Sequence, residues 1–158
     1  MTATIRGLKR LQRKLDKLPA AVKQQIRMAM EQGADEIVAM AKSLAPVGNY
    51  TGGGTLRDSI GWTWGRAPKG AMTIGKVQSV GGDLTITIYA GNSEAFYARW
   101  VEFGTAPHVN EGKFAGSQHP GTAAQPFFYV SFRANRRRVK GRVSRAITKA
   151  AKQVAAGS

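Results

Sequence analysis

The apolar positions along the chain change their spacing several times, and each change marks an element. Leu8, Leu11, Leu15 and Leu18 recur every three or four residues, which places them on one face of a helix. Pro19 closes that short helix, because the residue before a proline is pushed out of the helical region. Val22, Ile26, Ala29, Gly33, Ile37, Met40 and Leu44 resume the helical spacing, and Pro46 ends this second helix after Ala45. At roughly 24 residues it is about 36 Å long, with a seam suited to packing on a sheet or a neighbouring helix. Gly33 inside it costs about 1 kcal/mol against alanine, which points to close approach of another backbone.

From Leu56 the spacing falls to two. Leu56, Ile60, Trp62 and Trp64 alternate with Arg57, Ser59, Gly61 and Thr63, the pattern of a half-buried strand, with Asp58 falling on the apolar side at its start. Two more strands are expected near Met72–Val80 and Leu84–Ala90, joined by the hairpin signal Gly81-Gly82-Asp83. In the second, Leu84, Ile86, Ile88 and Ala90 share one face while Thr85, Thr87 and Tyr89 share the other. These make a small antiparallel sheet, and the long second helix is its expected cover. Ser93 is placed to cap a short helix whose buried face is Phe96, Tyr97, Trp100, Val101 and Phe103, ended by Gly104. Residues 105–125 have little periodicity and read as a long loop, a kind of segment that is usually functional or disordered.

Pro126 suits a first helical position. Phe132, Val139, Val143, Ile147, Ala150 and Val154 then form a stripe, interrupted by Arg136, along a final helix. The expected architecture is α+β: a small antiparallel sheet packed against a long N-terminal helix, with a short aromatic helix and a long basic C-terminal helix. The expected organisation is one domain over 1–158. It divides into a helical part (1–45), sheet and short helix (56–104), loop (105–125) and basic helix (126–154).

Charge changes this picture more than composition does. The 158 residues include 24 Lys and Arg against 9 Asp and Glu, a formal net charge of +15. Residues 112–158 hold ten of the basic residues and no acid, and residues 1–28 hold eight with only Asp16. The stretch between them, 29–111, has six basic and eight acidic residues. Two basic ends around a near-neutral middle suggest contact with nucleic acid, an acidic protein surface or anionic lipid. Arg133, Arg137, Arg138, Lys140, Arg142, Arg145, Lys149 and Lys152 carry the density of the C-terminal end. No aromatic is interleaved after Phe132, so DNA contact there is through phosphates and indifferent to sequence. The chain lacks cysteine, which excludes a disulfide framework and thiolate metal sites. With no apolar leader and no apolar run long enough to span a bilayer, a soluble protein made in a cytoplasm is expected, with no membrane partner.

A search for chemistry returns little. His108 and His119 share one loop without the i,i+4 spacing of a helical zinc pair, even with Glu102 as a third ligand. Ser93 and Ser117 lack an orienting acid and a nucleophile elbow. Asp35 and Glu36 point in different directions from one helix. The glycine-rich stretch 46–55 follows a helix instead of a strand and has no Lys-Ser/Thr after its glycines, so it is a connector and not a phosphate loop. No catalytic residue, cofactor or metal is expected.

Several short pieces do occur in a telling order. They are Gly7-Leu8, Ala41-Lys42 with Ala45-Pro46, Thr51-Gly52 leading to Leu56-Arg57-Asp58-Ser59-Ile60, then Tyr97 with Val101-Glu102-Phe103-Gly104-Thr105, and last Ala124-Gln125-Pro126-Phe127. In this order the chain resembles the tail-component family of tailed phages and prophages, the gene-product-ten-like neck or tail-completion proteins. One departure is Gly53-Gly54-Thr55, which widens the gap between Thr-Gly and Leu-Arg. The resemblance implies a structural virion protein, present in the host cytoplasm during assembly. It implies a ring, sixfold by analogy, at the head–tail interface, with a head-completion or connector protein and a tail-tube or tail-terminator protein as neighbours. On that reading Trp62, Trp64, Trp100, Phe127 and Phe128 are candidate anchors between subunits. Arg99, Glu102, Gly104 and Thr105 then set register or direct the following loop toward a neighbour, while the segment's aromatics serve the core. The alternative is a sequence-independent nucleic-acid-binding protein acting through its basic terminal helices, and genomic DNA is a possible phosphate partner in either case.

Overall fold

A computed structural model describes residues 17–48, 53–73 and 84–156. The expected first helix with Leu8, Leu11 and Leu15, most of the Met72–Val80 strand and the Gly81-Gly82-Asp83 turn lie outside those residues. The fold is α+β, as the periodicities indicate. Its elements are α1 (Ala20–Leu44), α2 (Thr55–Asp58), β1 (Gly61–Trp64), β2 (Met72–Thr73), β3 (Ile86–Ala90), α3 (Ala98–Phe103), β4 (His108–Val109), β5 (Gln118–His119) and α4 (Phe128–Ala156).

The two long helices form the frame. α1 buries Val22, Ile26, Ala29, Gly33, Ala34, Ile37 and Ala41, and its main partner is α4, with the sheet lying against another part of its length. The helix does cover the sheet, as expected, and of the two partners its seam suits, a sheet or a neighbouring helix, it takes both. Gly33 explains the close approach: a Cβ there would stand 2.5 Å from Val139 Cγ1. Leu44 is 45% exposed and Ala41, fully buried, takes its place in the core. On α4 the inward line runs through Phe128, Ser131, Asn135 and Ala150. Ile147 is exposed, and the two polar positions were invisible to an apolar count. They are tolerated because Ser131 Oγ donates to Phe127 O and Asn135 Nδ2 donates to Ser131 O, leaving no buried group unpaired there.

β3 is the central strand of a three-stranded antiparallel sheet in the order β1-β3-β2. Trp62 stands opposite Ile88, Trp64 opposite Ile86, and Met72 opposite Ala90, so these six residues share a face, as directly opposed residues in a ladder do. Leu56–Asp58 is not the start of β1, as the alternation suggested, but one turn of helix. Gly54 at φ +116° turns the chain into it, and Leu56 and Ile60, four residues apart, both reach the core. That core also takes Ala45, Ala90, Ala95, Ala98, Phe127 and Phe128. The last two are fully buried, and truncating either costs about 3–5 kcal/mol.

Candidate subunit interface

α3 is six residues long and carries most of the aromatic segment. Ser93 does not cap it: Tyr97 holds the N-cap position without a side-chain cap bond, and Asn92 Oδ1 closes the turn ahead of the helix by accepting the Glu94 and Ala95 N–H groups at 2.9 and 2.8 Å. Its buried face is small and acidic, not aromatic. Ala98 and Glu102 point inward, whereas Phe96, Trp100 and Phe103 are 58%, 52% and 58% exposed. The expectation that these aromatics fill the core is overturned. The reason is room: Ala95 and Ala98 pack closely under the helix, and Gly91 at φ +92° brings the backbone so near that a Cβ would meet Ala95 O at 2.8 Å. Phe96 packs edge-on against Trp100 at 5.6 Å, and Phe103 leans on Tyr129 at 5.7 Å. Arg99 is exposed among them.

Glu102 is 3% exposed. Its carboxylate accepts the N–H groups of Phe127, Phe128 and Tyr129 at 2.8, 2.9 and 3.0 Å. Those are among the donors that the first turn of a helix leaves without an internal partner, so Glu102 is the distant cap of α4, and its charge opposes the positive end of the helix dipole. Pro126 accordingly lies before the helix and not in its first turn. Beside this cap, Gln125 N donates to Val101 O, and Thr105 and Thr122 pair through their backbones in both directions. Gly104 at φ +70° makes the crossing possible, since a Cβ there would stand 2.5 Å from Thr122 O. The two motif pieces Val101–Thr105 and Ala124–Phe127 thus meet in space.

Between them residues 105–122 are not a plain loop. They form an arm: β4 and β5 pair with His108 opposite His119, and a single 3-10 turn, Gly112–Phe114, makes the tip. The two imidazoles stack 4.8 Å apart. His108 Nδ1–H donates to Ala106 O at 2.9 Å, and His119 Nδ1 accepts Gly121 N–H at 3.0 Å. Phe114 at the tip is 73% exposed. Tyr97, Trp100, Val101, His108, His119 and Gln125 line a groove of about 620 Å³ where α3 meets the arm. Among the described residues no group of three or more His, Cys, Asp or Glu gathers to hold a metal ion.

The remaining candidates fall elsewhere. Trp62 and Trp64 are half-buried and staple β1 to α1: their indole N–H groups donate to Asp35 Oδ1 at 2.7 Å and Glu31 Oε1 at 3.1 Å. Arg27 covers the Trp64 ring at 4.1 Å. Glu102, Phe127 and Phe128 lie inside the subunit and present no surface to a neighbour. On α4, Arg133, Arg137, Lys140, Arg145, Lys149 and Lys152 are exposed. Arg142 is instead half-buried and bonded to Glu36 Oε1, and Arg138 Nη2 lies 3.0 Å from Glu36 Oε2 and 2.6 Å from Asn135 Oδ1. The Arg142 hydrogen bond, with the charge of Arg138 behind it, holds the Glu36 carboxyl below its ordinary pKa against the opposing effect of burial. Sequence reasoning missed this clasp; the signal it left was an i,i+4 arginine pair on the flank of the α4 stripe.

No helix among the described residues is long and apolar enough to cross a membrane. No curated protein and no solved structure matches the chain. A sequence profile does match, over residues 9–104: that of the HK97-gp10-like family, bacteriophage proteins assigned as tail components. The match spans more than half of the chain and ends at the glycine that closes α3. The chain therefore belongs to the HK97-gp10-like family of bacteriophage tail components.

Proposed function

We propose that this tail component is a structural, non-catalytic subunit of a homo-oligomeric ring that joins or completes the tail at the head–tail interface. A sixfold ring is the form we favour. One face meets a head-completion or connector protein and the other a tail-tube or tail-terminator protein. The observation that carries this reading is the exposed aromatic row Phe96, Trp100 and Phe103, set beside the groove at the root of the arm. Contiguous exposed apolar surface of this kind marks protein contact sites, and tryptophan is the commonest anchor in them. Arg99, Gly104 and Thr105 belong to the same contact, the first in the row and the others at the root of the arm. The competing reading, a stand-alone nucleic-acid-binding protein, is weaker because Arg138 and Arg142 are engaged by Glu36 and the inner face of α4 is buried on α1.

Replacing both Trp100 and Phe103 by alanine tests the proposal. Each half-exposed side chain also loses one ring contact, to Phe96 or to Tyr129, so the unfolding midpoint should fall modestly with the chain still folded, while loss of even one of the two anchors, at about 2 kcal/mol, weakens each subunit contact about 30-fold. Particles assembled with that variant should lack the subunit by quantitative mass spectrometry. A variant incorporated at the parent level refutes the aromatic row as the contact.

A further inference from the structure

Within residues 133–140 six positions are exposed: Arg133, Ala134, Arg136, Arg137, Arg138 and Lys140. Five of the six are cationic, and among the described residues only Arg138 of these five is in an ion pair. The other four, at 133, 136, 137 and 140, fall on one side of α4, away from Glu36 and the α1 contact, at the three- and four-residue spacings that make neighbours on a helix. Like charges at those spacings are unfavourable to the helix itself. No acid anywhere in 112–158 offsets them. Among the described residues no acidic side chain pairs with these four.

We infer that Arg133, Arg136, Arg137 and Lys140 form a stripe that binds the phosphates of duplex DNA without regard to sequence. This rests on the tail reading, in which the genome passes the subunit. Two features favour a phosphate backbone over an acidic protein. Protein contacts centre on Trp, Tyr and Arg anchors seated in desolvated pockets, whereas the four cations here all stand exposed with no aromatic residue among them. Phosphate binding needs only charge at the right density. The stripe spans about 11 Å of helix axis, a length over which duplex DNA presents about six phosphates. The stripe also differs from the flank that carries Arg145, Lys149 and Lys152, where Glu31 and Asp35 of α1 share a groove with Arg145 and Lys149.

The test is fluorescence anisotropy of the full chain with two duplexes of unrelated sequence, between about 50 and 200 mM salt. Three to four phosphate contacts give a log–log slope of about −2.7 to −3.6, a loss of affinity of about 40- to 150-fold over that range, equal for both duplexes. The variant R133Q/R136Q/R137Q/K140Q should lose most of that slope, while R145Q/K149Q/K152Q keeps most of it. No binding at the lowest salt, or an unchanged slope in the quadruple variant, overturns the inference. Tighter binding of poly-glutamate than of DNA overturns it too, and assigns the stripe to an acidic protein surface. Incorporation of the quadruple variant into particles is read separately. DNA binding by a chain absent from the neck and tail leaves the stripe standing and sinks the ring. Normal incorporation of a parent chain that ignores DNA does the reverse.

Discussion

Glu102→Gln is the most informative single substitution, because it keeps the shape of the side chain and removes what the cap requires. The carboxylate of Glu102 accepts three N–H groups from the start of α4, two of them buried. An amide offers one oxygen in place of two; placed at the Oε2 position it keeps the two buried bonds, and its NH₂ group then faces the part-buried Tyr129 N–H, which is left bare at a cost of about 1–3 kcal/mol. Loss of the negative charge at the helix N-terminus adds about 1 kcal/mol, up to about 2 in a partly buried setting. Together these predict a loss of about 2–4 kcal/mol, a large share of the roughly 5–15 kcal/mol that holds a domain folded. Urea unfolding followed by circular dichroism at fixed protein concentration reads it. With a slope of about 2 kcal/mol per molar, the midpoint should fall by about 1–2 M. Glu94→Gln, at an exposed site, is the control and should stay within about 0.5 kcal/mol. A Glu102→Gln chain as stable as that control refutes the cap as an energetic element.

Two other changes probe the helix pair. Gly33→Ala gains about 1 kcal/mol of helix propensity, but the new methyl would stand 2.5 Å from Val139 Cγ1 and 3.3 Å from Val139 Cβ. Valine is stiff at χ1 in a helix, so overpacking of about 1–3 kcal/mol should win; thermal unfolding should show net loss, reversed when Val139→Ala is added, and independent effects of the two would contradict it. At the Glu36 clasp the folded pKa is depressed from its ordinary 4.5, so its contribution is fully present above that value and fades as pH falls through the lower folded value. The stability gap between the parent and Glu36→Gln should therefore narrow as the pH drops below 4.5, and a constant gap down to about pH 3 speaks against the clasp.

Much of the frame was legible in the residue order, and what escaped did so for identifiable reasons. The long helices, β3 and its two faces follow from spacing alone, since burial imposes those periods directly. Leu56–Asp58 was misread because a four-residue turn is too short for a helical period to declare itself against an alternating one. The aromatics of α3 were assigned inward on hydrophobicity, yet the closely packed Ala95, Ala98 and Gly91 leave them no space inside; apolar character does not reveal which side has room. Glu102 was read as setting register with a neighbouring subunit or directing the loop toward one, whereas its partners here are backbone groups 25 to 27 residues away in the same chain, a separation no local pattern encodes. Ser131 and Asn135 escaped for the opposite reason: their burial is paid for by bonds within their own helix.

The arm has a consequence for how such a protein diverges. Its root is fixed by the Thr105–Thr122 ladder, the Gln125–Val101 bond and the Glu102 cap, while positions 111–118 are exposed throughout. Changes of residue or length at that tip leave the core and the α4 start untouched, so its sequence is free to drift faster than the scaffold does. That makes the arm an insertion point for tags or recognition loops, and makes the root the part by which distant relatives are best aligned.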